Sequence, residues 1–308
     1  MIARLRNQSG QALVVTLVFA TVMLGAAALT LDVGSWYREH RQAQTTADAA
    51  ALAGAQSLPG NTAQATAVTQ DYATKNGGGI DVTGGIVFRS DFAPNDTVIV
   101  KVTRTAPGFF SKIFGIDSAT VHATAAARTA VPLDARYVAP ISVNKLHPLL
   151  SGPHCPCFNQ ETTIPLGKTG APGAFALVNL DNNAAPGTIG ASTLADWITN
   201  GFNAYLPLGD YLSDPGAKWN DGPIQDALQL RANTDLLFPV YDTLTGSGSN
   251  AEYHVIGWVA FHLESVTATG TSGSITGYFT SVIWDGIESS TGSAGSPDYG
   301  VHSVALVN

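Results

Sequence analysis

Charge is what this 308-residue sequence has least of. Asp, Glu, Lys and Arg make up 12 % of it, against about 25 % in an ordinary soluble domain. Its surface must be covered by Ser, Thr, Asn and its 32 glycines rather than by ion pairs, which suits an extracytoplasmic β-rich protein better than a cytosolic enzyme. Lys and Arg number 15, form no run and leave a net charge of −8. Neutralising phosphate requires clustered cations, so nucleic acid is excluded as a partner.

Cysteine is nearly absent too. The only two, Cys155 and Cys157, stand in SGPHCPCFN. Outside the cytoplasm such thiols oxidise, and this pair is the disulfide candidate. Its two-residue separation makes a small, geometrically demanding ring that stiffens a loop and constrains little unfolded-chain entropy. Adding His147 and His154 would give four metal-binding groups, but their spacing matches no recognised zinc pattern.

Catalytic signatures are missing as well. The chain has no G-x-S-x-G elbow, H-E-x-x-H helix, glycine-rich phosphate loop or EF-hand repeat. His254, His262 and Glu264 fall at even positions of one expected strand and so on one face, where a histidine is more often a solvated neighbour of its sheet than a catalyst. Convergence of the three in a pocket would favour an enzyme or ligand-binding protein, and dispersal would sink that alternative. Asp210, Asp214 and Asp221 lie among Gly and Pro without the ligand repeat that calcium loops use. No catalytic, cofactor-binding or metal residue is therefore assigned, no cofactor is expected, and the chain reads as non-enzymatic.

What the sequence does have is one long apolar run, GQALVVTLVFATVMLGAAALTLDVGSW, at 10–36. Residues 12–31 are about 20 positions without a charge, which as a helix cover the roughly 30 Å of a bilayer's hydrocarbon. A secretory signal carries only about 7–15 apolar residues, so the run reads as a retained span. Arg4 and Arg6 precede it, while Arg38 and Arg41 follow it together with Asp32 and Glu39. The flank bias places the N-terminus in the cytoplasm and residues beyond 32 outside it.

The helical signal continues past the span. Residues 32–58 contain no proline and set Trp36, His40, Ala43, Ala47, Ala50 and Gly54 at three- and four-residue steps on one face. Ala43, Ala47, Ala50, Ala51 and Gly54 are the helix-packing candidates, because small side chains let another backbone come close. The partner is either the helix's own domain or a second subunit. Leucine at Ala47 or Ala51 is expected to do more damage than leucine at Ala65.

Pro59 and Gly60 stop the long helix, and a second is expected from Ala63 to Lys75, capped by Asn61 or Thr62. The period then changes to two: IDVTGGIVFRS and TVIVKVTRT flank the turn DFAPNDT, FFSKIFG reads as a helical turn and SATVHATAAART as a third strand.

These N-terminal residues carry a resemblance. Gly10–Ala12, Leu31–Gly34 and Asp48–Ala55 hold the G-Q-A start, L-D-V-G exit and D-A-A-A-L-A-G-A stretch of the TadG-like Flp (tight adherence) pilus-assembly family, and the likeness extends over about residues 5–130. It implies a membrane-anchored component of the machinery that builds a type IV-related pilus, or a pilin-like protein handled by it, with the lipid bilayer and proteins of a pilus or secretion complex as partners, a second copy of itself among the candidates. Some relatives continue into a von Willebrand factor A domain with a D-x-S-x-S metal site. No such motif occurs here, so that adhesion mechanism is not carried over.

Type IV-related systems also cut leaders after a glycine. Gly10 resembles such a site, but the glutamate usual five residues past the cut is Val15 here, and a freed amine at Gln11 would have no charged partner in an apolar bundle. Met1–Gly10 is expected to be retained.

The expected architecture is α+β. It comprises a cytoplasmic leader (1–11), a transmembrane helix (12–31), a stalk helix with a small pilin-like α+β head (32–131) and a β-rich α+β extracytoplasmic domain (132–308). In the last, strands are expected in YVAPISVN, ETTIPLGK, GAFALVNLD, AEYHVIGWVAFHLESVTAT, GSITGYFTSVIW and VHSVALV, with helices at 191–202 and 222–234, a Gly/Ser turn at 270–274 and a loop at 288–300.

Overall fold

A computed structural model describes residues 9–81, 83–166, 175–181, 184–214, 216–269, 272–287 and 297–307. The fold is α+β, and the chain divides into two compact units, residues 1–128 with 305–308, and 129–304.

The first unit is built on α1 (Ser9–Ala55), a single uninterrupted helix of 47 residues. Its first half is Leu, Val and Ala with no proline, and Leu13, Val18, Phe19, Leu24 and Leu29 all point outward. It is the one helix among the described residues long and apolar enough to cross a membrane. Its second half turns inward. Ala43, Ala47, Ala50 and Ala51 have no exposed surface, and α1 packs there against α2 (Thr62–Lys75) and strand β2 (Thr97–Pro107).

Asn61 starts α2, its side chain accepting the Gln64 N–H at 2.9 Å, so the first turn has its cap. Strands β1 (Ile86–Arg89), β2 and β3 (Ser118–Ala130) form an antiparallel meander. Along β2 Val98, Val100 and Val102 are buried on alternate positions, as the strand period requires. Each such valine stabilises the unit by about 1.5–3 kcal/mol.

One expectation fails here. Ala65 is as fully buried as Ala47 and Ala51, because the α2 face that carries it is the face α1 covers. A Cβ on Gly54 would collide with the Thr69 hydroxyl and approach the Ala65 carbonyl to 3.3 Å. Ala65 is therefore no tolerant control.

The second unit centres on a seven-stranded sheet ordered β6 (Glu161–Pro165), β11 (Ser272–Thr280), β10 (Glu252–Thr269), β8 (Gly209–Asp214), β7 (Phe175–Val178), β5 (Ile141–Asn144), β9 (Thr234–Thr245). β9 also pairs with β10 along Thr234–Thr245. Smaller pairings join β4 (Asp134–Ala135) to β13 (Gly286–Ile287) and β12 (Val282–Ile283) to β14 (Val301–Val307). α3 (Pro148–Ser151) is a single turn, α4 (Ala191–Asn200) ends at Gly201, and α5 (Gly222–Leu230) carries Pro223 in its first turn. The core is aromatic: Phe238 stacks on Phe261, which meets Phe279 edge-on, and Trp219, Trp258, Tyr241 and Tyr253 are buried around them.

Helix α5 ends at Leu230, short of 234, and Thr234–Thr245 is a strand absent from the sequence reading. Pro239 hides it, since proline demotes a run as a central strand. Orientation spares the β10 pairing. Leu237 and Tyr241 turn their carbonyls to the Ala139 and Lys145 N–H groups, so Pro239, two residues from each, points its missing N–H the same way and removes no donor from the β10 ladder. Strand β8 is likewise absent from the sequence reading. The expected turn at 270–274 and loop at 288–300 lie partly outside the described residues.

Candidate functional site

The features that organise the first unit lie along α1. Lowest is Asp32, the acid that ends the apolar run. Its Oδ1 accepts the Phe109 N–H at 2.7 Å and the Phe110 N–H at 3.2 Å, and its Oδ2 accepts those of Phe110 at 3.0 Å and Ser111 at 2.5 Å. Three successive N–H groups at the start of a short 3-10 turn, Ser111–Phe114, have no partners within their own segment. One carboxylate satisfies all three, each bond being charge-assisted. Gly115, at φ 79°, closes the turn in a conformation that costs a residue with a Cβ about 1–2 kcal/mol.

About four turns further along α1, at Thr46, the helix meets Arg104 of β2. Its Nη2 donates to the Thr46 hydroxyl and the Asn76 carbonyl, each at 2.9 Å, and to the Gly78 carbonyl at 3.2 Å. Its Nη1 lies 4.0 Å from Glu39. The Thr46 hydroxyl in turn donates to the Asn76 carbonyl at 2.7 Å. One guanidinium thus ties β2 to the long helix, to the end of α2 and to the glycine turn beyond it. Above it lies the small-residue face, Ala43, Ala47, Ala50, Ala51 and Gly54, enclosed by α2 and β2 of the same unit.

These three features fall in or are anchored to one sequence segment. Residues 10–57 match the family model described as "Putative Flp pilus-assembly TadE/G-like". No curated protein and no solved structure matches the chain. The Tad-like segment coincides with α1 and the turn after it, so the match covers the apolar helix, Asp32 and the small-residue face. Family and helix together fit a membrane-anchored pilus component.

The second unit places the remaining candidates apart. Cys155 and Cys157 are bonded to each other. His147 is buried against Phe279 with its Nδ1 accepting the Leu149 N–H at 3.2 Å, and burial pushes its pKa down. It serves as the cap of α3 and has no connection to His154. His254 pairs with Asp210 at 2.8 Å and His262 with Asp235 at 2.7 Å, His262 also stacking on Tyr278. Each of these two histidines thus has its own aspartate, and a register shift in the β10–β11 pairing falls between Leu263 and Ser265, at Glu264. Asp214 pairs with Lys218 at 2.8 Å. Among the described residues no three His, Cys, Asp or Glu side chains gather as a metal site.

In the sequence Asp32 reads only as one of the charges that follow the span, and Arg104 has no role. The signal for the first was present: a lone carboxylate at the end of about 20 uncharged residues costs several kcal/mol unless partnered. For Arg104 there was none, because its partners stand 26, 28 and 58 residues away.

Proposed function

We propose that this chain is a membrane-anchored, non-enzymatic component of a Tad/Flp-type pilus assembly or secretion machinery, retained in the bilayer by α1 with its N-terminus in the cytoplasm and the second unit outside. The observation that carries the reading is the change of character along one unbroken helix: its outward apolar half matches a bilayer in length, and its small-residue half is consumed by the head it carries. A filament subunit would bring long helices of neighbouring copies together. Here Ala43, Ala47, Ala50 and Ala51 are already covered by α2 and β2 of their own unit, which favours an anchored assembly factor over a packed fibre subunit. The separate pairing of His254 and His262 weighs against an enzyme built on that strand.

The test is intact-mass measurement of the chain extracted from membranes, combined with protease treatment of sealed right-side-out vesicles. A mass that includes Met1–Gly10, with residues beyond 32 digested, supports the anchored reading. A mature chain beginning at Gln11 would make it a processed, pilin-like subunit, and protection of the second unit would reverse the orientation.

A further inference from the structure

Among the described residues of the first unit outside the span, the 3-10 turn that Asp32 holds is the most exposed apolar surface. Ile113 is 79 % exposed and Phe114 83 %, with Phe109, Phe110 and Ile116 also outward. In a globular head such a cluster is unusual, because apolar side chains of this size are normally withdrawn from water. Its place on α1 supplies the reason. Phe109 and Phe110 lie alongside Thr30, Leu31, Gly34 and Arg38, where the lipid-length run ends. The apolar surface of the span, exposed up to Leu31 and Val33, therefore continues sideways onto the turn.

We propose that Phe109–Ile116 is a second membrane contact: a wedge that inserts Ile113 and Phe114 among the acyl chains of the leaflet α1 exits through. The inference rests on the reading of α1 as a span. The chemistry around the turn fits a headgroup boundary rather than a protein partner. The exposed Tyr37 follows the span by one to two turns, where amphipathic aromatics concentrate, and the exposed Arg38 and Lys112 flank the cluster with positive charge suited to lipid phosphate. Asp32, the one acid in the first turn past the run, has its negative charge engaged by three backbone N–H groups, so it does not repel that phosphate. Burying the turn's five apolar side chains in lipid removes the cost of exposing them. It also fixes the head at a set height and tilt, which a lone helix free to rotate in the bilayer would not.

The test uses the full chain in vesicles of phosphatidylcholine and phosphatidylglycerol. Because the native cysteines are bonded together, single substitutions Phe114→Cys, Leu24→Cys and Asn95→Cys can each be labelled with an environment-sensitive fluorophore without reduction. Lipids carrying a nitroxide, near the headgroup in one set of vesicles and midway along the acyl chain in another, then serve as quenchers. Phe114→Cys should be quenched at least about twofold more than Asn95→Cys in the head's distal turn, with a blue-shifted emission, as insertion below the headgroups requires. Adding Asp32→Asn to the Phe114→Cys chain should lower that quenching and leave Leu24→Cys unchanged. Equal quenching at 114 and 95 with Leu24→Cys strongly quenched overturns the wedge and leaves the anchor standing. A blue shift at 114 without lipid quenching overturns it in favour of a protein cover. Absence of quenching at Leu24 overturns both readings together.

Discussion

Arg104 and Asp96 show how much of the first unit hangs on single polar side chains. Arg104 is largely buried and its Nη2 alone serves Thr46, Asn76 and Gly78. A lysine ammonium offers one point charge where the guanidinium offers a planar fork. Arg104→Lys should therefore cost about 2–3 kcal/mol by leaving carbonyls of the α2 end unpartnered, read by denaturant unfolding in detergent. A loss below the scatter of surface mutants would show the bracket to be dispensable. Asp96 closes the β1–β2 hairpin by accepting the N–H groups of Asp91, Phe92 and Ala93 at 2.7–2.9 Å. Burial pushes its carboxyl up, but those N–H groups and the Thr97 hydroxyl pull it down further, and the net position is below its ordinary 3.8. The stabilisation is thus fully present above the unfolded value near 3.9 and is lost as pH falls through the lower folded value. Asp96→Asn should be less stable than the parent by about 1–3 kcal/mol at neutral pH, with the gap closing below about pH 4. A gap that stays constant with pH would show that charge is not what the turn requires.

At the scale of elements, α1 is two helices in composition and one in structure. Its upper half depends on small side chains at Ala43, Ala47, Ala50, Ala51 and Gly54, where α2 and β2 come so close that nothing larger than a methyl group is present. Ala47→Leu, Ala51→Leu and Ala65→Leu should each destabilise by about 1–3 kcal/mol or more, whereas Thr45→Leu on the exposed side of the same turn should stay within about 0.5 kcal/mol. Thermal unfolding of the four variants decides this. Equal effects at Thr45 and Ala47 would remove the close-packing account. Strand β9 carries the same lesson in the second unit, where Pro239 sits in the middle of a sheet with its ring nitrogen turned away from the long β10 pairing.

For the molecule as a whole, the bond between Cys155 and Cys157 reports on compartment. Such bonds persist only where thiols are not held reduced, so chain collected from membranes should label with no free thiol before reduction. Stoichiometric labelling would place the second unit in a reducing compartment and contradict the proposed orientation. The bond itself does little for stability. Closing a loop of about three residues is worth about 1.5 kcal/mol at most by chain entropy, so Cys155→Ser with Cys157→Ser should unfold only slightly sooner, the aromatic core around Phe261 supplying most of the stability.

The apolar run, the uninterrupted α1, the N-cap at Asn61 and the alternating valines of β2 were legible in the sequence because each is a local pattern. A run of about 20 uncharged residues, a side-chain oxygen two or three positions before a free N–H, or a period of two needs no knowledge of what lies elsewhere in the fold. The tertiary structure alone decided that Ala65 is buried, that Arg104 gathers three segments, that Asp32 holds a turn 77–79 residues away and that Thr234–Thr245 is a strand despite Pro239. Each depends on which distant backbone groups end up facing a given side chain or peptide nitrogen. That is set by the packing of α1 on its head and by the pairing of β9 with β10, and by nothing within a few residues of the position itself.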